Sequence, residues 1–171
     1  MRRNSVSIVG AAETTDLGKI PGLSQIQLHA DAALNAINDA GLRLSDIDGI
    51  ASAGESPTNL SHYLGLVPTW VDGTSVGGCS LMLHVRHAAA AINEGLCNTV
   101  LITHGESGRS NIGRSAFRGG GRSTIPGQFE GPYGGRGPTT SFTLPFTRYI
   151  KAIHYTHPHV PTTHLRRVPA R

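Results

Sequence analysis

Residues 73–106 limit the fold of this chain more than any other part of the sequence. They begin with a turn of small residues and continue with a run whose apolar residues recur at helical spacing. They end with a short apolar run at 99–103 that is typical of a buried strand. The apolar residues of the helical run are Leu81, Val85, Ala88, Ala89 and Ile92. A turn, a helix and a strand in this order predict an α/β fold.

Similar patterns before this stretch predict further alternation. Ser24 and Gln27 match a capping box at the start of a helix, and Gly41 is suited to end that helix. Pro57 suits the first turn of a short helix. The expected strands lie near 5–11, 48–53, 68–72 and 98–104, and the expected longer helices lie near 24–40 and 80–95. This alternation predicts a mostly parallel sheet with helices on its faces, and ligands at the carboxyl ends of the strands.

Cys79 carries the strongest chemical signal, because it lies where the turn becomes the helix. The first turn of a helix has unpaired N–H groups and a partial positive charge, and both favour a thiolate. Gly77 and Gly78 let the chain turn sharply and let a substrate approach the backbone. An activated sulfur beside backbone donors is what acyl transfer through a thioester requires. The alternative is that Cys79 is a small apolar residue buried under the helix.

Three histidines are further candidates for chemistry. His104 ends the predicted strand, where an imidazole can act as a base or donate to an oxyanion. The alternative for His104 is a hydrogen bond to the backbone, which is the commoner case. His84 and His87 lie three residues apart on the predicted helix, the spacing of a metal pair, but the sequence offers no obvious third ligand. We therefore predict no metal site there.

The segment 105–137 differs in composition from the rest of the chain. It contains half of the 22 glycines, with five arginines between them, and such a composition resists regular structure. One hypothesis is a mobile flap whose arginines, such as Arg109 and Arg114, meet the phosphates of a cofactor. The alternative is a surface excursion with solvated arginines. Nucleic-acid binding is disfavoured, because only three aromatic residues are available here to stack on bases.

Positive charge is concentrated in the last quarter of the chain. The net charge is +4, but residues 131–171 contain six Lys or Arg and no Asp or Glu, so residues 1–130 carry −2. The basic character is therefore no argument for a basic binding face on the domain. Residues 154–171 combine closely spaced His and Pro without any regular period, which predicts an irregular basic tail. Metal binding by these histidines is the alternative, although no rigid scaffold would hold them.

Several classes of protein are disfavoured. No apolar run approaches the ~20 residues of a membrane span, and no apolar segment of a signal peptide follows the basic N-terminus. Cys79 and Cys97 are too few for a disulfide framework. A reducing, cytoplasmic compartment is the simplest interpretation.

In this order the elements resemble the N-terminal half of a thiolase. Within that superfamily, they are most similar to the lipid-transfer-protein (sterol-carrier-protein x) type. The resemblance rests on Gly-Gly-Cys-Ser at 77–80 and on the strand and loop at 100–107, and it is supported by residues 7–10, 46–50, 86–92 and 128–134. Leu81 and Met82 depart from the pattern, because small residues usually follow the nucleophile in thiolases.

The resemblance implies a mostly parallel mixed sheet with helices on both faces, within a thiolase-like N-terminal domain at 1–153. It implies that Cys79 is the nucleophile, that Glu106 is structural, and that the 105–137 loop region covers a coenzyme A pocket. A coenzyme A thioester would be the substrate, and no bound cofactor is expected. The second half of a thiolase supplies a His that activates the nucleophile and a Cys that acts as acid and base. This chain has no match to that half, so we expect it to be truncated.

Three functional hypotheses follow. The first is an acyltransferase acting on acyl-CoA thioesters in fatty-acid or sterol side-chain metabolism, incomplete in this chain. The second is a non-catalytic or partner-completed subunit. The third is a thiolase-like aldolase that cleaves an acyl-CoA side chain without using Cys79. The expected partners are the acyl-CoA substrate and either a second copy in a homodimer or a completing subunit, with no nucleic acid and no membrane span.

Overall fold

The computed structural model of the chain describes residues 5–113, 123–135 and 138–156. These residues divide into two compact units, one before residue 117 and one from there onwards. The first unit contains the elements of the sheet, and the second contains helices.

The first unit alternates helices and strands, which confirms the predicted α/β class. Its helices are α1 (Gln25–Asp39), α2 (Pro57–Leu64) and α3 (Ser80–Asn93), and its strands are β1 (Gly49–Ala53), β2 (Trp70–Asp72) and β3 (Val100–His104). Single 3₁₀ turns occur at Leu44–Asp46 and Gly108–Ser110. The three strands form one parallel sheet in the order β2-β1-β3.

Local signals begin and end these helices as predicted. The N–H of Ser24 donates to Oε1 of Gln27 at 2.8 Å, so the capping box at the start of α1 is formed. Gly41 has φ +66 directly after the C-cap of α1, a conformation that favours glycine. Pro57 is the first residue of α2, where its missing N–H leaves no hydrogen bond unmade.

The hydrophobic core lies on the face of the sheet that α1 and α2 cover. Ile50 and Leu101 are neighbours in the β1–β3 register and point to this face. They pack with a cluster of buried side chains from both helices and the connecting segments: Ala33, Ile37, Ile47, Leu60 and Leu66. α3 packs on the other face through Ala88 and Ala91. The helices therefore lie on both faces, as expected.

Asp48 fixes the register at the start of β1 and β3. Its carboxylate accepts hydrogen bonds from the N–H groups of Asn98 and Thr99 at 2.7 to 2.9 Å, and from the side-chain amide of Asn98 at 2.8 Å. Burial alone would raise the pKa of Asp48, but these hydrogen bonds outweigh it and hold the pKa below its usual value. The carboxylate thus joins two chain segments that are distant in sequence.

The predicted strand at 5–11 is wrong. This segment is irregular, and its Ile8 side chain is 80% exposed. It crosses α1 at close range instead: a Cβ placed on Gly10 would lie 2.5 Å from the carbonyl oxygen of Ala36, and the N–H of Ala11 donates to Asp39. The residues of 5–11 favour a strand, but they pair with none of the described strands, and propensity without pairing does not make one.

The predicted buried face of α3 is also wrong in part. Ala88 is buried as expected, but Val85 is 39% exposed, and Leu81 and Ile92 are only partly buried. The most deeply buried residues of α3 are Ser80 and His84. Their polar atoms bond to the loop before the helix, so hydrogen bonding rather than apolar area sets which side of α3 faces inward.

The second unit contains two helices, α4 (Ile125–Phe129) and α5 (Pro138–Thr156), with a 3₁₀ turn at Gly131–Tyr133. Pro145 lies inside α5. Arg114 and residues 157–171 of the predicted tail lie outside the described residues. None of the helices among the described residues has the length and hydropathy needed to cross a bilayer.

Candidate functional site

The loop between β2 and α3 presents Cys79 at the start of the helix. Cys79 is the N-cap residue of α3 and is exposed, so its interpretation as a buried core residue is wrong. Gly77 has φ +88, a left-handed conformation that favours glycine, and this allows the sharp turn before the thiol. A Cβ placed on Gly78 would meet no atom within 4 Å. The backbone beside Cys79 is therefore open to a ligand.

The buried side chain of Ser80 bonds to the backbone of this turn. It is 1% exposed, and its hydroxyl accepts from the N–H of Val76 at 2.9 Å while it donates to the carbonyl of Gly77 at 2.6 Å. The Cys79 thiol donates to the carbonyl of Val76 at 3.7 Å. Among the described residues, the N–H groups of Gly78 and Cys79 have no acceptor. The turn thus holds its carbonyl groups internally and leaves two donors beside the sulfur.

Two histidines of α3 bond to the other end of the same loop. His84 is fully buried, and its Nε2 lies 2.8 Å from the carbonyl oxygen of Thr74. Nδ1 of His87 lies 2.7 Å from Oδ2 of Asp72. The other oxygen of Asp72 accepts from the N–H and the hydroxyl of Thr74 at 2.9 and 2.7 Å. The histidine pair considered for metal binding thus bonds to this part of the chain, His84 to a backbone carbonyl and His87 to the carboxylate of Asp72.

The carboxylate of Asp72 is kept ionised by these contacts. Burial alone would raise the pKa of Asp72, but the hydrogen bonds from Thr74 and His87 outweigh burial and lower it. The end of β2 therefore carries a negative charge on Asp72, and this carboxylate is hydrogen-bonded to both Thr74 and His87.

A second cluster of histidines lies at the end of β3. Nδ1 of His104 lies 3.0 Å from the carbonyl oxygen of Ala53, and because a carbonyl only accepts, this nitrogen carries the proton of the hydrogen bond. Nε2 lies 3.7 Å from Oε2 of Glu106, close enough for an ion pair when the ring is protonated. His104 is a backbone-bonded histidine, as the commoner alternative held, and its Nε2 faces Glu106.

His29 of α1 completes this cluster, and the sequence patterns did not single it out. It is fully buried, its Nδ1 lies 2.9 Å from the hydroxyl of Thr103, and its ring meets that of His104 edge to face with centroids 6.1 Å apart. Burial, and then the nearby His104, lower the pKa of His29 to about 4. His29 is therefore neutral at pH 7. The only available sequence signal was a polar residue among apolar neighbours of α1.

The two clusters are separate. The hydrogen bonds and ring contacts of the described residues link Cys79 to its own loop and His104 to Ala53, His29 and Glu106. Gly77 and Gly78 lie beside Cys79, as predicted. Within the described residues, no group of three or more His, Cys, Asp or Glu side chains is arranged to hold a metal ion.

Comparisons with known proteins identify the fold. Over 116 residues, or 66% of this chain, the sequence is 30% identical to 17-hydroxy-3-oxo-4-pregnene-20-carboxyl-CoA lyase of Mycobacterium tuberculosis. The structure superposes on the Ltp2-ChsH2(DUF35) aldolase with a TM-score of 0.68 over 85% of this chain, at 26% identity. A lower TM-score of 0.48, over 56% of this chain and 22% of the other, relates it to a monomeric SCP2-thiolase like protein type 1 from Mycobacterium smegmatis at 27% identity.

The chain has a thiolase-like fold. Its matched region spans 30% of the length of the lyase and 37% of the aldolase chain. A scan against models of protein families found no match. The resemblance recognised in the sequence is thus confirmed at the level of the fold.

Two other residues can be placed on this thiolase-like fold. Arg109, a candidate for phosphate binding, is exposed in the 3₁₀ turn after β3. Cys97 precedes β3 and is 3% exposed; burial and the nearby charge of Asp48 raise the pKa of its thiol.

Proposed function

We propose that this chain is the thiolase-like part of a carbon–carbon lyase that acts on coenzyme A thioesters of lipid side chains. The observation that carries the proposal is the open pair of backbone donors, Gly78 and Cys79, at the start of α3. The fold gives context, since the two relatives matched over most of this chain are named a lyase and an aldolase.

The chemistry of such a lyase needs donors of this kind. In the named substrate of the lyase, the hydroxyl at carbon 17 is β to the thioester carbonyl attached at carbon 20. A base removes the hydroxyl proton, the bond between the α and β carbons breaks, and the β carbon becomes a ketone. The electron pair moves into the thioester as an enolate, which is then protonated to give a shorter acyl-CoA. Two N–H groups at a helix N-terminus stabilise the negative charge on the enolate oxygen.

Part of this reaction is assigned to a completing subunit. The name of the aldolase structure joins two components, Ltp2 and ChsH2. We propose that a completing subunit supplies the base here, because no base contacts Cys79 or Gly78 within the described residues. The free thiols of Cys79 and Cys97 are consistent with a reducing compartment.

Acyl transfer through Cys79 is the second candidate, and the exposure of this thiol favours it. A nucleophilic cysteine needs an adjacent base or another activating group. The recorded contact of the Cys79 sulfur is the carbonyl of Val76, which accepts the thiol proton in a hydrogen bond but cannot remove it. Acyl transfer, like the lyase reaction, would therefore need a base from a completing subunit, and the lyase is favoured by the names of the two relatives, a lyase and an aldolase.

The proposal is tested by titrating ¹⁵N-labelled protein with propionyl-CoA and, separately, with free coenzyme A. We expect propionyl-CoA, which has the thioester carbonyl, to shift the amide signals of Gly78 and Cys79, and free coenzyme A to leave them nearly unchanged. Equal shifts with both ligands, or no shift at these amides, would refute a thioester site in this loop.

A Cys79→Ser variant separates the two candidate reactions, with Cys97→Ala as the control. The lyase proposal predicts that Cys79→Ser still shows the carbonyl-dependent shifts and that mass spectrometry finds no acylated Cys79 in the wild type. Transfer of an acyl group from acyl-CoA to Cys79 would favour the acyltransferase instead.

A further inference from the structure

We propose that His84 and His87 are positioning residues that hold the 73–79 loop in the conformation that presents Gly78 and Cys79. The inference rests on the proposed thioester site in this loop and identifies what keeps that site in place. Neither histidine needs to touch the substrate. Each acts through one hydrogen bond to the turn that follows β2.

His84 reaches the loop through a bond whose direction is fixed. A carbonyl oxygen only accepts, so the 2.8 Å contact with Thr74 requires the proton on Nε2 of His84. The neutral ring then has a bare acceptor at Nδ1. Nδ1 is buried and has no hydrogen-bond partner. His84 is therefore held in one tautomer, with one bond made and one nitrogen unsatisfied.

Nδ1 of His84 is buried without a hydrogen-bond partner, as is Nε2 of His29. A buried acceptor without a partner destabilises a fold, whereas an apolar side chain of similar size would avoid this cost. The bond to Thr74 is the only polar contact that the ring makes among the described residues. What ties His84 to the proposed thioester site is therefore its hydrogen bond to the loop backbone, and not its unsatisfied nitrogen.

His87 holds the same turn one helical turn further along α3. It bonds to Asp72, and Asp72 in turn holds both the N–H and the hydroxyl of Thr74. The carbonyl of Thr74 therefore bonds to His84, while its N–H and hydroxyl are tied through Asp72 to His87. The hydroxyl of Ser80 also bonds to the loop, at the N–H of Val76 and the carbonyl of Gly77. α3 therefore bonds to the loop at both ends, and the N–H groups of Gly78 and Cys79 are among the loop donors that have no acceptor within the described residues.

The test measures hydrogen exchange of the Thr74 and Val76 amides by NMR in paired variants of the whole chain. His84→Leu removes the donor, whereas His84→Gln places an amide N–H where Nε2 was. His87→Leu and His87→Asn form the equivalent pair for Nδ1. We expect exchange to quicken about five-fold to tenfold in the Leu variants, which is the effect of losing one hydrogen bond, and to return towards wild type in His84→Gln and His87→Asn.

Two controls separate positioning from a loss of folding. His62 is exposed in α2, so His62→Leu should leave both amides unchanged. Cys97 is buried and should stay protected from a thiol reagent in every folded variant. Faster exchange in a Leu variant that still protects Cys97, with recovery in its amide partner, supports the proposal. Unchanged exchange, or equal acceleration in both members of a pair, would overturn it.

A measurement on the wild type covers the case in which His84→Leu does not fold. A long-range ¹H–¹⁵N spectrum should show His84 as a single Nε2–H tautomer with a slowly exchanging ring proton. A mixture of tautomers would overturn the proposal. If the exchange and tautomer results hold while propionyl-CoA fails to shift Gly78 and Cys79, the proposed function fails and the positioning role stands.

Discussion

The two histidine clusters use the same residue type for opposite purposes. In the 73–79 loop, histidine rings bond to a turn and leave the space in front of the backbone empty. At the end of β3, the rings of His29 and His104 pack against each other, and glycine is required to make room for them. A Cβ placed on Gly105 would lie 2.6 Å from Cδ2 of His29, whereas one placed on Gly78 would meet nothing within 4 Å. The first cluster shapes the loop, whereas in the second His29 fills the interior and His104 lies at its exposed edge.

The comparison also separates two kinds of buried histidine. His84 uses its buried ring to hold a backbone carbonyl, so its effect appears in the shape of the loop. His29 bonds to a side chain of the neighbouring strand and lies beside a second ring, so its effect appears in the stability of the fold. Each difference can be measured.

The largest expected effect separates the two cysteines. Cys79 belongs to the open loop, and Cys97 is 3% exposed with its thiol pKa raised by burial and by Asp48. We expect iodoacetamide at pH 8 to alkylate Cys79 about a thousandfold faster than Cys97, because Cys97 reacts only after a local opening of the fold. Peptide mass spectrometry over time gives both rates.

Unfolding the protein provides the reference for this contrast. In denaturant, the two rates should approach each other. If Cys79 stays unmodified in the folded protein while Cys97 reacts, the open loop described above is incorrect.

The next effect concerns acid and the closed cluster. The pKa of His29 is lowered to about 4 in the folded protein, from about 6.5 in an unfolded chain. Between these values the unfolded state binds the proton first, so stability is present above about pH 6.5 and is lost as the pH falls towards 4. The expected loss is about 3 kcal/mol, measured by urea unfolding at pH 7.5 and at pH 4.

Variants show how much of this loss belongs to His29, because carboxylates also titrate below pH 6. His29→Asn keeps a donor near the position of Nδ1 and removes the titration, so its stability should fall less on acidification. His62→Asn changes an exposed histidine and should behave as the wild type does. Equal losses in the wild type and His29→Asn would refute a buried neutral histidine.

The smallest of these effects compares two glycines. Gly105→Ala forces a methyl group against His29 and should destabilise the protein by about 2 kcal/mol. Gly78→Ala adds a methyl group in open space and should change stability by less than about 0.5 kcal/mol. Urea unfolding of both variants at pH 7.5 measures the difference. Similar losses in the two would mean that the loop is as closely packed as the interior.

Local signals in the sequence predicted much of this architecture. Caps and turn residues act over a few positions, so Ser24, Gly41 and Pro57 marked helix ends correctly. The turn before Cys79 was identified for the same reason, since glycines followed by a helical period determine it locally. The thiolase resemblance added the order of the elements, which no single segment contains.

The missed features depend on partners far away in the chain. Residues 5–11 have the composition of a strand, but a strand needs a neighbour, and the described strands do not supply one to this segment. Hydrophobic periodicity ranked Leu81 and Val85 as core because it counts apolar area and ignores hydrogen bonds. It therefore overlooked His84, whose burial depends on a carbonyl of Thr74. His29 was missed because its partner Thr103 lies 74 residues away.

The hydrogen bonds that join the Asp48 carboxylate to Asn98 and Thr99 have a consequence for the order of folding. They join residues 50 and 51 positions apart, and the whole β1–β3 pairing closes a loop of similar length. Closing such a loop costs chain entropy before any strand contact is gained, which makes parallel pairing slow. α2 and α3 lie inside this loop, and their local hydrogen bonds can form first and shorten it. The hydrogen bonds of Asp48 then form late. They can be made only when β3 is aligned with β1 in the observed register, so they favour this register over shifted ones.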